Sequence, residues 1–389
     1  MASMTPELTI EPVSMADRKS RARFVDLGRA FAADTPHSVP QLRGEQIELV
    51  HPSKNPFFDH AQVQFFIAHI DGRDVGRITA QIDELALDLP REQGFGPGTG
   101  MFGYFDAEAA WIGDRLLIAA QDWLRERGMT RVLGPISLSV WEEPGLLTFG
   151  HDSRPTIMMG HHPARYQSWI EDAGYRAEKT LLTYDIDVRR EFPPIVRRIV
   201  EIGERNDRVH MRDADPEQFT AELHLILNIL NDAWSDNWGF VPFTDREIAY
   251  AAKKYQPLVH GKLIKIVEVD GEAAAFLITL PDVNGVLEET GGKLWPFGWF
   301  KLLRWSRKPT GAAMRVPLMG VLKKYHNSRL ASQLACMMID AVRRAAHEDF
   351  GSTYGEIGWV LDDNKGMIAI AEMIKSTINR EYTIYAKPL

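Results

Sequence analysis

Hydrophobic and polar positions follow the same pattern in two stretches that lie far apart in the chain. Residues 65–83 ("FFIAHIDGRDVGRITAQID") and 264–282 ("IKIVEVDGEAAAFLITLPD") each show an apolar segment, an Asp-Gly pair and a second apolar segment. An Asp-Gly pair between two such segments is typical of a two-residue hairpin turn. The sequence therefore predicts two β-hairpins, turning at Asp71-Gly72 and Asp270-Gly271.

The elements predicted after each hairpin also repeat. A short strand with a glycine (Gly103 or Gly320) is followed by a long amphipathic helix, at 107–128 and 328–349, and then by another apolar strand. We expect an α+β fold of two similar domains, residues 1–190 and 191–389, joined near 187–194. One continuous mixed sheet in which the two hairpins are alike by chance is the alternative.

Composition narrows the class of protein. The chain has 389 residues, of which 45% are hydrophobic and 25% charged, which is ordinary for a globular protein with more than one core. Its formal net charge of −8 argues against an extended nucleic-acid surface, and so against a protein that transfers an aminoacyl group from tRNA. The single cysteine, Cys336, and the absence of a signal-peptide pattern favour a cytoplasmic protein.

The order of predicted elements, together with "GVLKKYHNSRLASQL" (320–334), resembles the GNAT acyltransferases. The resemblance implies two tandem GNAT-like domains, each a mixed, mostly antiparallel sheet flanked by helices. It also implies that backbone N–H groups at a helix start bind the pyrophosphate of an acyl-CoA. His326, Arg329 and Ala331 stand at the motif positions, and only Ala331 is conventional. The expected coenzyme-binding residues are Met319, Gly320, Val321, Leu322, Lys323, Lys324, Asn327, Ser328, Arg329, Leu330, Ala331 and Asn364.

A second motif, "EIGWVLDDNKGMIAIAEMI" (356–374), resembles the next strand and helix of the superfamily. Asn364 fits its asparagine, but Ala371 stands where a tyrosine commonly serves as general acid. The first copy has Ile170 at that position, and its helix start, "FDAEAAWIG", offers neither glycines nor cations for a pyrophosphate. We therefore expect a degenerate N-terminal domain and an acyl-CoA-binding C-terminal domain.

Further stretches resemble the branch of tandem acyltransferase-like proteins that includes the bacterial ceramide synthases. They are "GPISLSVWEEPGLLTFGHDSRPTIMMGHHPARY", "NDAWSDNWGFVPFTDRE", "LPDVNGVL" and "REYTIYAKPL". The resemblance implies transfer of a long-chain acyl group from acyl-CoA to the amine of a sphingoid base such as 3-oxosphinganine. A non-catalytic protein that binds acyl-CoA or lipid, and an N-acyltransferase for another amine, are the alternatives.

Acyl transfer to an amine needs a group that accepts a proton and polar groups that hold the acceptor. The titratable candidates are His326, Glu288, Glu289 and Asp282, and the candidate acceptor-binding residues are Asn284, Trp234, Trp238 and Phe240. Each has a simpler interpretation: a helix cap for the histidine, solvated carboxylates at a turn, Asp-x-Asn turn chemistry, and tryptophans in the core. The histidines at 151, 161 and 162 lack further ligands at metal spacing, so we expect no metal site.

The segment "LWPFGWFKLLRWSRK" (294–308) combines aromatic and basic residues without an acidic one. Such a composition suits peripheral contact with an anionic membrane, and we place the protein on the inner membrane. The alternative is an inward-folded wall of an acyl channel or a packing loop. The residues expected to contact the membrane are Trp295, Phe297, Trp299, Phe300, Lys301, Arg304, Trp305 and Arg307.

Overall fold

The structure, a computed structural model, describes residues 7–326 and 328–389 and divides into two compact units. Unit 1 comprises residues up to Thr180 together with Leu287–Leu294 and Glu381–Leu389, and unit 2 comprises Leu181–Val286 and Trp295–Arg380. The division therefore does not fall at one boundary near residue 190. The strand Arg176–Asp187 begins in unit 1 and pairs from Leu181 onward with a strand of unit 2.

Unit 1 contains the first hairpin and a sheet whose pairing follows the predicted element order. Its strands are β1 (Leu8–Val13), β2 (Ala61–Ile70), β3 (Arg73–Asp83), β4 (Thr99–Ala107), β5 (Arg131–Gly134), β6 (Ile136–Ser137), β7 (Glu143–Pro144), β8 (Leu146–Phe149) and the start of β9 (Arg176–Asp187). Its helices are α1 (Arg18–Ala33), α2 (Arg43–Leu49), α3 (Glu84–Leu87), α4 (Ala110–Arg125) and α5 (Arg165–Asp172).

Unit 2 repeats this design with the second hairpin. Its strands are the end of β9, β10 (Val209–Asp213), β11 (Ile264–Val269), β12 (Glu272–Pro281), β13 (Met314–Val321), β14 (Tyr354–Leu361) and the start of β15 (Thr377–Pro388). Its helices are α6 (Pro194–Glu204), α7 (Phe219–Trp234), α8 (Asp245–Tyr255), α9 (Asn284–Thr290), which continues into a segment of unit 1, α10 (Gly298–Arg307), α11 (Arg329–Glu348) and α12 (Lys365–Met373).

The two hairpins turn where the sequence predicts. Asp71 and Gly72 have φ angles of 49° and 80°, and Asp270 and Gly271 have φ angles of 54° and 82°. Two successive positive φ angles define a type I′ turn, which matches the twist of the strands that it joins. This explains why an Asp-Gly pair occupies both turns and confirms the repeat at the level of local structure.

Within each unit the strand pairing is mixed. In unit 1 the order is β1-β2-β3-β4-β5-β15, with β8 also pairing with β15, and only β4 and β5 pair in parallel. In unit 2 the order is β9-β14-β13-β12-β11-β10, and only β13 and β14 pair in parallel. The predicted α+β class with mostly antiparallel sheets is confirmed.

The cores come from the amphipathic helices. In unit 2, α11 buries Leu334, Met337, Met338 and Val342, the positions at which its sequence is apolar, against the sheet and α6. Cys336 lies within this core, and burial raises the pKa of its thiol to about 11. The cysteine therefore has a packing role, as its place in the helix pattern predicts.

Candidate active site

Strand β13 of unit 2 contains a bulge. Ile278 of β12 pairs with Leu318 and Leu280 pairs with Arg315, so the single residue Thr279 faces both Val316 and Pro317. Proline has no N–H to donate to a neighbouring strand, which explains why the extra residue is accommodated there. The bulge thus lies just before residues 319–322, which the sequence analysis assigns to coenzyme binding.

Beyond the bulge, β13 and β14 part. Their parallel pairing runs from Met314 with Gly355 to Val316 with Ile357, whereas β13 continues to Val321 and β14 to Leu361. Pairing with β14 then no longer uses the backbone N–H groups on that edge of β13, because alternate residues of a strand direct their N–H groups to opposite sides. The predicted acyl-carbonyl site, residues 319–322, lies on this stretch or directly after it.

Helix α11 begins close after β13. Its N-cap is Ser328, whose Oγ accepts the N–H of Ala331 at 3.3 Å, so one N–H of the first turn is already occupied. Arg329 is exposed and, within the described residues, makes no ion pair, so its guanidinium is available to an anion such as pyrophosphate. Leu330 follows in the same turn, and Asn327 lies outside the described residues.

The two lysines predicted beside the pyrophosphate are engaged by acidic residues. Lys323 Nζ bonds to Asp236 and lies 2.5 Å from Ser235 Oγ, and Lys324 Nζ donates to Glu272 at 2.9 Å. The bond to Glu272 also raises the pKa of Lys324. Of the three predicted cations, Lys323 and Lys324 are therefore paired with carboxylates, and Arg329 is the one better placed to bind a phosphate group.

His326 is exposed, and its Nε2 lies 2.7 Å from the carbonyl oxygen of Val321. Because the carbonyl accepts, Nε2 carries the proton and Nδ1 is the nitrogen that can accept one. On the other side of β14, Asn364 is the N-cap of α12, and its Oδ1 accepts the N–H of Met367 at 3.1 Å. Ala371 is buried in α12 and brings no titratable group to this place.

The predicted carboxylate candidates have unequal surroundings. Asp282 and Asn284 are buried, and the Asn284 N–H donates to Asp282 Oδ1 at 3.2 Å, which is the turn chemistry that Asp-x-Asn favours. This turn starts α9, so Glu288 and Glu289 lie on a helix and not at a turn. Both are exposed, and Glu288 Oε2 lies 3.5 Å from Arg154 Nε.

The predicted aromatic pocket lies on α7 and the loop that follows. Trp234 Nε1 donates to the carbonyl oxygen of Met319 at 3.0 Å, and its ring centroid lies 6.5 Å from that of buried Phe240. This contact anchors α7 on the part of β13 that extends beyond β14. Contact of Trp234, Trp238 and Phe240 with an acceptor stays a prediction.

The sequence analysis missed a buried ionic network in unit 2. Arg315 on β13, Glu356 on β14 and Arg380 on β15 are all at most 2% exposed. Asn379 Nδ2 donates to Glu356 at 2.6 Å and to the Tyr354 hydroxyl at 2.9 Å. A charged residue inside an otherwise apolar strand, as in "MRVPLMGV" and "YGEIGWVL", is the signal that could have revealed it.

Strand β4 of unit 1, which corresponds to β13 of unit 2, has different surroundings. At the bulge of β4, the N–H of Tyr104 donates to Ser137 Oγ at 3.1 Å. The N–H of Ala107 donates to the buried Tyr166 hydroxyl at 3.1 Å, and that hydroxyl lies 3.3 Å from the Ala107 carbonyl oxygen. Side chains of unit 1 thus occupy backbone groups that an acyl group would need.

The segment 294–308 is largely exposed. Trp295 is 82% exposed, Phe297 75%, and Trp299 and Phe300 about half, whereas Trp305 is only partly exposed. Core aromatic residues are buried, so these fractions argue against the inward-folded alternative. Lys301, Arg304, Arg307 and Lys308 are exposed on or beside the same helix, α10.

Among the described residues, the histidines, cysteines and acidic residues form no group of three that could hold a metal ion. None of the helices in this part of the chain is both long enough and apolar enough to span a membrane.

Comparisons with known proteins identify the family. No protein-family profile matches the chain. It is 40% identical over 389 residues to the bacterial ceramide synthase of Caulobacter vibrioides, covering 100% of this chain and 99% of that relative. It is 35% identical over 370 residues to protein YghO of Escherichia coli, covering 94% of this chain and 92% of that relative.

Among solved structures, a tandem GNAT protein from the clavulanic acid biosynthesis pathway superposes with a TM-score of 0.54. The superposition covers 98% of both chains at 12% sequence identity, which shows a shared fold. The expected tandem GNAT fold is therefore confirmed. Because the identity to the Caulobacter protein extends over the full length of both chains, this chain belongs to the bacterial ceramide synthase family.

Proposed function

We propose that this protein is an N-acyltransferase that moves a long-chain acyl group from acyl-CoA to the amine of a sphingoid base, such as 3-oxosphinganine, and forms a ceramide. The observation that carries the proposal is the full-length, 40% identity to a protein named bacterial ceramide synthase. The GNAT fold supports it, because neighbours with this fold include N-acetyltransferases.

We assign acyl-CoA to unit 2. Strand β13 continues past its last pair with β14 and ends at Val321. Helix α11 begins eight residues later with the exposed Arg329. A thioester carbonyl at the backbone of β13 and a pyrophosphate at the helix start would use N–H groups and one cation. In unit 1, Ser137 and Tyr166 occupy the comparable backbone groups.

The segment 294–308 supports peripheral contact of the enzyme with anionic lipid. Substrates with long alkyl chains partition into membranes, so an enzyme that uses them must reach the interface. Exposed Trp and Phe side chains favour the interfacial zone, and each basic residue near an anionic surface adds about 1 kcal/mol. Trp295, Phe297 and Arg304 meet these requirements by their exposure.

A non-catalytic role is the second candidate, and one observation favours it. Ala371 occupies the position of the superfamily's common tyrosine and is buried, so it supplies no acid for the departing thiolate. Under this alternative the protein binds acyl-CoA or lipid without transferring the acyl group. N-acylation of a different amine is a third outcome of the same experiment.

The test is direct. The purified protein is incubated with palmitoyl-CoA and either 3-oxosphinganine or other long-chain amines, and free thiol and amide product are measured by mass spectrometry. An acyltransferase releases coenzyme A and forms amide in equal amounts. Binding of palmitoyl-CoA without thiol or amide would favour the non-catalytic alternative, and amide formed only from another amine would exclude the sphingoid base.

A further inference from the structure

Unit 1 contains a histidine–carboxylate pair that the proposed acyl-CoA site does not use. Glu143 Oε1 lies 3.3 Å from His162 Nε2, and the N–H of Leu147 donates to His162 Nδ1 at 3.2 Å. Because Nδ1 accepts a hydrogen bond, Nε2 carries the proton and donates to Glu143. His162 therefore holds the carboxylate of Glu143 in a defined orientation.

A second pair lies close enough to interact electrostatically. Arg77 Nε donates to Asp106 Oδ2 at 2.8 Å. Burial raises the pKa of Asp106 above its ordinary value, Arg77 opposes the shift, and the negative charge of Glu143 adds to it. Burial acts to raise the pKa of Glu143 as well, but the His162 hydrogen bond and the charge of Arg77 oppose it, and that pKa is lowered.

Three stretches that are far apart in the sequence meet at this cluster. Glu143 comes from "SVWEEPG", and Gly160 and His162 come from "MMGHHPARY". The hydroxyl of Tyr382, from "REYTIY", donates to the carbonyl of Gly160 at 2.9 Å. A Cβ atom at Gly160 would lie 2.3 Å from Glu143 Oε1 and 2.9 Å from His162 Cε1, so a larger residue here would displace the Glu143 carboxylate or the His162 ring.

Solvent reaches one member of the cluster more than the others. The side chain of Glu143 is 34% exposed, whereas those of His162, Asp106 and Arg77 are 15%, 16% and 13% exposed. Glu143 Oε2 makes no hydrogen bond to the part of the chain that the structure describes. A carboxylate whose supporting residues are mostly buried, and which keeps one oxygen accessible, is placed to receive a ligand that donates hydrogen bonds.

The charge of the cluster indicates the ligand. Arg77 and Asp106 compensate each other, and Glu143 beside a neutral imidazole carries one negative charge. Among the described residues, the acidic residues and histidine of this cluster are not arranged as a group that could hold a metal ion. A single accessible carboxylate is complementary to a monovalent cation with N–H donors, which is the chemistry of a primary ammonium group.

We propose that Glu143, oriented by His162, binds the primary ammonium group of an alkylamine in unit 1. The identification of this amine with the acceptor of acyl transfer rests on the proposed function. Unit 1 would then be degenerate as an acyl-CoA domain but retained as the domain that recognises the amine. The alkylamine hydrogen-bonds to Glu143 Oε2, and His162 holds Oε1.

Calorimetric titration with hexylamine hydrochloride tests the site, with hexanol as the uncharged probe. Glu143→Gln keeps the size of the side chain and removes its charge, and we expect about ten- to a hundredfold weaker hexylamine binding, as for loss of a charge-assisted hydrogen bond. Glu142→Gln, next in the chain, is the matched control and should bind like the wild type. Equal hexylamine affinity in wild type and Glu143→Gln, or an equal loss of hexanol binding, would overturn the proposal.

A second measurement uses the wild-type protein and so does not depend on the folding of a variant. A water-soluble carbodiimide activates carboxylates, and an amine seated at one of them forms an amide with loss of the urea by-product. Peptide mass spectrometry at low hexylamine concentration should find the hexylamide at Glu143 in excess over Glu142. Equal yields at the two residues would contradict a seated amine.

The outcomes separate this inference from the proposed function. Glu143-dependent hexylamine binding without any amide product from palmitoyl-CoA would support the amine site and contradict acyl transfer. Ceramide formation by Glu143→Gln at the wild-type kcat and KM for the amine would support acyl transfer and contradict the amine site.

Discussion

Arg315 Nη1 and Glu356 Oε1 lie 3.1 Å apart, and neither side chain is more than 1% exposed. The two residues face each other across the parallel strands β13 and β14, one pair before the last pair, Val316 with Ile357. The ion pair thus joins the strands at the place where they begin to part. Since buried charges are costly without partners, the pair helps to fix where the proposed acyl-CoA cleft opens.

Removing the shared carboxylate should destabilise unit 2 strongly. Glu356→Ala leaves Arg315 and Arg380 buried without their common anion, and we expect the free energy of unfolding to fall by about 3–5 kcal/mol. Urea unfolding followed by circular dichroism measures this. Glu348→Ala, at the exposed end of α11, should change it by less than about 0.5 kcal/mol, and equal losses in the two variants would show that the network adds no stability.

The sequence predicted the parts of the fold that depend on local periodicity. Hairpin turns and α11 follow from Asp-Gly pairs and from apolar spacing, which are properties of neighbouring residues. The Arg315–Glu356 pair and the Glu143–His162 pair could not be predicted, because their partners are distant in sequence and meet only through strand pairing and loop packing. The helix that carries Glu288 was not predicted, because the Asp-x-Asn pattern indicates a turn and the structure shows that this turn starts α9.

The sequence does not show which charged residues pair with one another. A run of cations such as Lys323 and Lys324 suggests a phosphate site, but the acidic partners Asp236 and Glu272 come from other elements. The basic character of a segment is visible in a sequence, whereas the compensation of each charge is a property of the folded chain. Arg329, in contrast, is exposed and makes no ion pair within the described residues, and its contact with the pyrophosphate stays a prediction.

Arg329 should therefore contribute to acyl-CoA affinity. Arg329→Ala removes one charge-assisted contact to the pyrophosphate, and we expect roughly one to two decades weaker binding in calorimetry. Arg190→Ala is the control, because Arg190 is exposed and pairs with Asp187 at 3.3 Å, away from the predicted motif. Equal affinities in the two variants would remove Arg329 from the site.

Acyl-CoA should bind once per chain. In unit 1 the N–H of Ala107 is bonded to Tyr166 and that of Tyr104 to Ser137, so the backbone of β4 cannot receive a thioester carbonyl without breaking these bonds. Titration with a non-hydrolysable acyl-CoA should give a stoichiometry of one. Two sites per chain, with one of them insensitive to Arg329→Ala, would show that unit 1 also binds the coenzyme.

The exposed segment 294–308 should bind anionic membranes. We expect more protein to sediment with vesicles that contain anionic lipid than with neutral ones, and less at high salt, because surface charges are screened beyond roughly 8–10 Å at physiological ionic strength. Changing Lys301, Arg304, Arg307 and Lys308 to Gln should reduce sedimentation. It should also reduce turnover of long-chain amines far more than turnover of a short soluble amine.

The tryptophans separate membrane contact from a structural role of the same segment. Trp295 is 82% exposed and Trp299 49%, so Trp295→Ala should change the free energy of unfolding by less than about 0.5 kcal/mol. Truncation of an aromatic residue in a core costs about 3–5 kcal/mol instead. If Trp295→Ala unfolds early and the quadruple Gln variant still sediments like the wild type, the segment stabilises the fold and does not dock on lipid.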